Sequence, residues 1–179
     1  ERVLVNLHDI FPSSPLYTSL CSFKKAPWAK IFKVKTSFLQ FFSFFPHEIM
    51  PNLMPLAFKT FDFEKYDVVV SISSSEGKYI KVEKPTVHIN YCLTPTRYLW
   101  SGYFDYLNES GFGKLNFLAR IWFVMISPLM RMKDFEEAQK VNKFIAISKE
   151  VKARIWKYYR RESEVLYPPV GINRVEDIK

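Results

Sequence analysis

The sequence predicts an α/β fold, a parallel sheet flanked by helices, and three observations carry that expectation. Four short runs, YDVVVSIS, TVHIN, KFIAIS and EVLYPP, are β-branched or apolar and bounded by turn residues, as buried parallel strands are. Stretches with helical spacing lie between them, and strands alternating with helices imply a parallel sheet. The 179 residues are 48% hydrophobic and 17% aromatic, enough for a real core and too apolar for a disordered chain.

The elements follow in order. ERVLVNLHDIF places Val3, Leu4, Leu7 and Phe11 at helical spacing. SPLYTSL reads as a strand after the Pro12–Pro15 turn. The Lys- and Phe-rich block to Phe61 reads as helical pieces cut by Pro46, Pro51 and Pro55. YDVVVSIS is the clearest buried strand, and TVHIN the next. EGKYI after the serines reads as a short helix. The apolar stretch Leu115–Ile126 predicts a helix, and Pro128 predicts the first turn of a second one, capped by Ser127 and running to about Val141. Glu136 and Lys140 are spaced to pair within it. KFIAIS is the third strand. Ser148 is placed to cap the following helix, with Glu150 in its first turn. Lys157, Arg160 and Arg161 stand near that helix's end, and Val151, Ile155 and Tyr158 or Tyr159 supply its core face. EVLYPP is the fourth strand, stopped by Pro168 and Pro169.

Parallel α/β sheets bind ligands beyond the C-terminal ends of their strands. Three segments fall there: SISSS, YCLTPTRYLW and Ser148. Thr94-Pro95 forces an extended turn in the second of these. Within that loop Arg97 has a planar fork suited to phosphate or sugar oxygens. Its alternatives are stacking on Tyr98 or Trp100, or pairing with Asp105. Thr94 caps the turn or meets a ligand. Tyr98 and Trp100 read first as packing and second as sugar platforms. The hydroxyls of Ser73, Ser74 and Ser75 face a ligand or cap the turn that follows. Ser148 is first a helix cap and second a residue of the cleft.

Charge and cysteines narrow the classes. The net charge is +8. Between Ile10 and His47 there is no Asp or Glu, while Lys24, Lys25, Lys30, Lys33 and Lys35 cluster among Trp28, Ile31, Phe32, Phe38 and Phe41. The Lys24–Phe45 segment suits an anionic membrane surface, a nucleic acid, or simply solvent over an apolar core. LNFLARIWFVMISPLMRM carries Arg120 and Pro128 and is a poor spanning helix; a buried or interfacial one fits better. Two cysteines make no disulfide framework, and His8, His47 and His88 lack metal spacing, so no metal site and a reducing compartment are expected. No signal peptide is visible, and a cytoplasmic protein is expected.

Two long motifs bring a resemblance. YCLTPTRYLW is similar to a loop written Y-C-H-T-P-x-R-Y-x-W-D. KFIAISKEVKARIWKYYRRESEVLYPPV is similar to F-I-A-N-S-x-x-V-x-x-R-I-x-x-Y-Y-G-R…V-I-Y-P-P-V-D, and ERVLVNLHDIFPSSPLYT resembles the segment after a Gly-Gly-Ala turn. Together they resemble the N-terminal, acceptor-side domain of family 4 (group 1) glycosyltransferases with the two-domain GT-B fold, near the mannosyltransferases of polysaccharide assembly. The resemblance implies a Rossmann-like domain over 1–170, lacking its first strand, and the start of an interdomain linker over 171–179. It implies a fragment inactive by itself, its partner domain holding the nucleotide sugar. It implies a nucleotide-sugar donor, a glycan or lipid-linked acceptor, retention without a metal, no other cofactor, and peripheral contact with the inner membrane surface. The site residues it suggests are Thr94, Arg97, Tyr98, Ser73, Ser74 and Ser148. Leu93 stands where many members carry His, and Leu makes no hydrogen bond; either His88 or Arg97 takes that role or this branch does without it. Ser101, Ile147, Arg160 and Gly171 replace the family's Asp, Asn, Gly and Asp. A nucleotide-sugar epimerase and a basic nucleic-acid-binding domain are the alternatives.

Overall fold

The computed structural model describes residues 1–42, 53–108 and 116–170. The chain divides into two compact units, Glu1–Phe61 with Tyr167–Lys179, and Asp62–Leu166. His47, Pro46, Pro51, Phe45, Leu115 and Gly171 lie outside the described residues, as does the 171–179 linker segment.

In the first unit, helix α1 spans Arg2–Ile10 where the apolar spacing placed it. Strand β1, Leu16–Thr18, pairs in parallel with β2, Val34–Thr36. The second of these was not expected, because Lys33 and Lys35 interrupt its apolar pattern. Ser37 joins the two strand ends by donating its hydroxyl to Ser19 O at 2.9 Å. Two 3-10 turns, Pro27–Ile31 and Phe38–Phe42, and helix α2, Leu53–Lys59, complete the described part. Pro55 does not cut α2; it sits in the first turn, where a missing N–H costs nothing.

The second unit holds the sheet. Strands β3 (Val68–Ser73), β4 (Val87–Cys92), β5 (Lys143–Ala146) and β6 (Ser163–Val165) pair in that order, all parallel. The expected α/β, Rossmann-like architecture is therefore present. Register fixes two faces, since alternate residues share a side. Asn90 pairs with Ser71 and Phe144, and Cys92 with Ser73 and Ala146, so these lie on one face. Cys92, Phe144 and Ala146 pack there with Ala138, Val141, Val151, Ile155 and Tyr159 in one core cluster. Val68, Val70 and Val87 alternate with that set and stay 51%, 41% and 40% exposed. The YDVVVSIS run is thus an edge strand with one open face rather than the best-buried strand; β-branching reported the strand but not its place in the order.

Helix α3 spans Tyr103–Asn108 and helix α4 spans Asn116–Lys140 without a break. The expected boundary at Ser127-Pro128 is absent. Pro128 has no N–H for the carbonyl four residues back, Val124. The Ser127 hydroxyl, 1% exposed, donates to that same carbonyl at 3.3 Å and takes the missing donor's place. Lys140 pairs with Glu137 at 3.0 Å rather than with Glu136.

Helix α5, Lys149–Tyr159, begins as expected: Ser148 Oγ accepts from Val151 N at 3.2 Å. Val151, Ile155 and Tyr159 form its buried stripe. It ends on Arg160 in the left-handed region, φ 54 and ψ 36, the conformation glycine adopts freely. Arg161 serves the other helix. Its guanidinium donates to Gln139 O at 2.9 Å and Val141 O at 2.7 Å, capping the open carbonyls at the end of α4.

Candidate functional site

Parallel register brings Ser73, Cys92, Ala146 and Val165 side by side at one sheet edge. The chain leaves β3 into Ser74-Ser75, β4 into Leu93-Thr94 and β5 into Ile147-Ser148 at that edge. The three segments singled out by sequence do converge there. A narrow depression, too tight as it stands to admit a water molecule, lies between the first two exits; Ser73, Ser74, Ser75 and Thr94 line it, with Asn90 and Cys92 among its other walls. Thr94 Oγ1 is buried and, among the described residues, has no hydrogen-bond partner. Arg97, Tyr98 and Ser148 do not line it.

The loop YCLTPTRYLW is tied down on its inner side by one carboxylate. Asp134, on the buried stripe of α4, is 0% exposed. Its Oδ1 lies 2.7 Å from Lys78 Nζ and accepts from Thr96 Oγ1 at 2.7 Å and Tyr79 OH at 3.2 Å. Its Oδ2 accepts from Trp100 Nε1 at 2.8 Å and Tyr159 OH at 2.9 Å. Lys78, 4% exposed, also donates to Thr96 Oγ1 and Ser75 O, both at 2.9 Å. Burial alone would raise the Asp134 pKa; the Lys78 charge and the bonds from Lys78, Trp100 and Thr96 outweigh it and hold the carboxyl below its usual range. The same burial and the Asp134 charge push the Tyr79 and Tyr159 hydroxyls well above theirs.

Arg131 closes the loop from the next turn of α4. Its Nε donates to Leu99 O at 2.6 Å, and its guanidinium lies 5.7 Å from the Trp100 ring and 4.2 Å from that of Tyr103. Trp100 stacks on Tyr158 at 5.1 Å. Trp100 is therefore packing, as expected first. Tyr98 lies 5.9 Å from Tyr106, and burial pushes its hydroxyl up to about 12.

Arg97 lies near Asp105, one of its expected alternatives, but at the surface. It is not half-buried: its side chain is 74% exposed, with Asp105, equally exposed, 3.8 Å away. Such a pair contributes little, so the guanidinium is available to solvent. Its stem passes over Gly102, where a Cβ would come within 2.9 Å of Arg97 Cγ.

The serines divide. Ser73 Oγ accepts from Gly77 N at 3.1 Å and so ties the end of β3 to the 3-10 turn Glu76–Tyr79, which stands where EGKYI read as a helix. Gly77 is required there, since a Cβ would meet Ser73 Oγ at 2.5 Å. Ser148 is occupied by its cap. His88, named above as a stand-in for the residue that Leu93 replaces in the resemblance, lies away from the strand exits. It is 2% exposed, within the sheet, with Nε2 2.7 Å from Ser71 Oγ, and burial lowers its pKa to about 4. Cys92 is likewise inert: burial raises its thiol to about 12. Among the described residues no group of three His, Cys, Asp or Glu side chains is placed to hold a metal ion.

Lys78 and Asp134 escaped the sequence reading. One signal pointed to Asp134: it falls on the helical stripe Phe123, Ser127, Met130, Asp134, Ala138, where an acid needs a partner. Every oxygen of that carboxylate is engaged, so the cluster positions the loop and is not a base. What the edge offers a ligand is hydroxyls and one exposed guanidinium.

No family model matches the chain, and no curated protein or solved structure matches it significantly.

Proposed function

We propose that the chain forms the acceptor side of a glycosyltransferase that moves a sugar from a nucleotide-sugar donor to a glycan or lipid-linked acceptor. One observation carries the reading: the Thr94 hydroxyl is buried without a partner among the described residues, beside Ser73 and Ser74, at the sheet edge where parallel α/β proteins bind ligands. An unsatisfied buried hydroxyl costs about 1–3 kcal/mol, a cost a sugar hydroxyl or phosphate oxygen relieves. The motif resemblance of YCLTPTRYLW and KFIAIS supplies the reaction class. Thr94 and Ser74 contact hydroxyls in this reading, Ser73 shapes the turn, and exposed Arg97 meets an anionic oxygen.

The test is label transfer from a panel of nucleotide sugars to a glycan and polyprenyl-phosphate acceptor mixture by the complete gene product. The Thr94→Val variant should lose about ten-fold or more in kcat/KM, about 1.4 kcal/mol. It should melt no lower than wild type, because it deletes an unpaired buried hydroxyl. Absence of transfer from every donor, or full activity in Thr94→Val, refutes the reading.

A further inference from the structure

We infer that α4 is the seam of a homodimer, packed antiparallel against the α4 of a second copy of this chain. Leu118, Ile121, Met125, Pro128, Met132 and Phe135 recur at alternating steps of three and four, and every one is exposed. That spacing is the repeat of a helix that packs lengthwise on another helix. The seam lies opposite Phe123, Ser127, Asp134 and Ala138, the buried residues that hold α4 to the rest of the second unit. Trp122 and Leu129 widen it on one side, Phe117 and Val124 on the other. At 3.6 residues per turn these outward side chains fill an arc of about 160°, with Met125, 76% exposed, near its middle. From Phe117 to Phe135 every residue on that arc is apolar. Isolated exposed apolar residues are ordinary; a continuous face of this size marks an interaction surface.

Area and charge select the occupant. Taking about 180 Å² for a fully exposed large apolar residue, the exposures along this face leave about 900 Å² of it in water. Covering two-thirds of that on each of two copies buries about 1,200 Å² in total, the lower end of the range for specific interfaces. Among the described residues no helix is long and apolar enough to cross a membrane, and a lipid surface fits α4 poorly. The arc from Phe117 to Phe135 holds no cation for a lipid phosphate, and exposed Glu136 continues its middle one turn beyond Met132. An acyl boundary would strip water from that carboxylate. An antiparallel pair gives it a place. Setting Met125 on the two-fold axis matches Leu118 with Met132 and Ile121 with Leu129 of the second copy. Glu136 then falls beside the N-terminus of the second copy's α4, at Asn116, where the helix macrodipole favours an acid. Two-fold symmetry supplies that contact twice. The dimer rests on α4 alone, independently of the transferase reading.

Sedimentation equilibrium of the purified chain across micromolar concentrations tests it. Wild type should sediment as two chains, and its melting midpoint should rise with concentration. Leu118→Glu and Met125→Glu should each weaken the dimer about a hundred-fold or more, because each sets two unpaired carboxylates into the seam. Their circular dichroism should match wild type, since both positions are exposed, and their melts should not depend on concentration. Glu136→Lys should weaken the dimer about ten-fold by setting a cation at each helix N-terminus. Cysteines report the direction of pairing. In Cys21→Ser chains, Leu118→Cys mixed with Met132→Cys should cross-link on oxidation, and neither should cross-link with itself. A single chain at every concentration overturns the inference, whether or not that chain floats with lipid vesicles. So does a dimer that both glutamate variants leave intact, a mass that grows past two chains without a plateau, or a Leu118→Cys chain that cross-links with itself.

Discussion

Replacing Lys78 by Met should be among the most destabilising single changes in the second unit. The side chain keeps most of its apolar stem and loses its charge. Asp134 then remains a carboxylate at 0% exposure with its hydrogen bonds but no cation, and Ser75 O and Thr96 Oγ1 each lose a donor. Breaking one side of a buried ion pair costs about 3–5 kcal/mol. At about 2–4 °C per kcal/mol for a chain of this size, the melting midpoint should fall by about 6–20 °C. The pH dependence supplies a second reading. In wild type the Asp134 pKa is depressed, so its contribution is present above the ordinary carboxylate pKa and lost as pH falls through the lower folded value. In Lys78→Met burial is no longer opposed by the ammonium, and the folded pKa should rise. The variant's deficit should then shrink as pH falls, with Asp134 taking up a proton. Adding Asp134→Leu should not restore stability, because Trp100 Nε1, Tyr159 OH and Thr96 Oγ1 lose their acceptor. Thermal melts from pH 7 to pH 4 on the three proteins test this. A Lys78→Met midpoint within about 1 °C of wild type, or full rescue by the double change, would refute the reasoning.

Three further outcomes follow from single positions. His88, with its pKa lowered from 6.5 to about 4 by burial, binds its proton more readily when unfolded, so stability should fall as pH drops from 6.5 to 4, by about 3 kcal/mol in all; an imidazole NMR titration midpoint near 6.5 in the folded protein contradicts this. Arg160→Gly should stabilise by about 0.5–1 kcal/mol, since it relieves left-handed backbone strain at φ 54, and Arg160→Val should destabilise; a lower denaturant midpoint for the glycine variant goes against it. Arg97→Ala should leave the melt unchanged because the side chain is 74% exposed, and should lower transferase activity of the complete gene product about ten-fold; a lowered melt with normal activity per folded molecule makes Arg97 structural.

The parts legible in the sequence are those governed by local rules. Ser148 three residues before Val151, an acid in the first turn and a stripe of Val151, Ile155 and Tyr159 specify α5 without reference to the rest of the chain. Four strand segments were readable for the same reason, and their alternation with helices fixed the parallel arrangement and the edge at which the exits gather. What failed depended on a neighbour. Pro128 normally ends a helix, but the Ser127 hydroxyl supplies Val124 O with a donor and α4 runs on. The Val34–Thr36 strand is visible only against β1, which satisfies its backbone despite Lys33 and Lys35. The exposed face of Val68 and Val70, which Val87 of the interior strand β4 shares, is set by what packs over the sheet, which composition does not encode.

The same distinction explains the loop after β4. Its TPTRYLW pattern cannot say which residues face in, because the decision is made by a carboxylate 38 residues from Thr96 on another helix. Asp134 draws Thr96 and Trp100 inward, and Arg131 holds Leu99 O, so Pro95, Thr96 and Leu99 become nearly inaccessible. Of the residues between these anchors, Arg97 turns outward while Tyr98 packs against Tyr106. Thr94 is left at the lip of the depression and Arg97 at the surface. A structural corner and a ligand-facing wall are therefore not rival descriptions of this segment. The anchored half removes the conformational freedom that ligand contact would otherwise cost, about 1–2 kcal/mol per residue ordered. In the proposed transferase reading that preorganisation lowers the cost of binding, so the cluster beneath the loop, which touches no ligand, positions the hydroxyls that do.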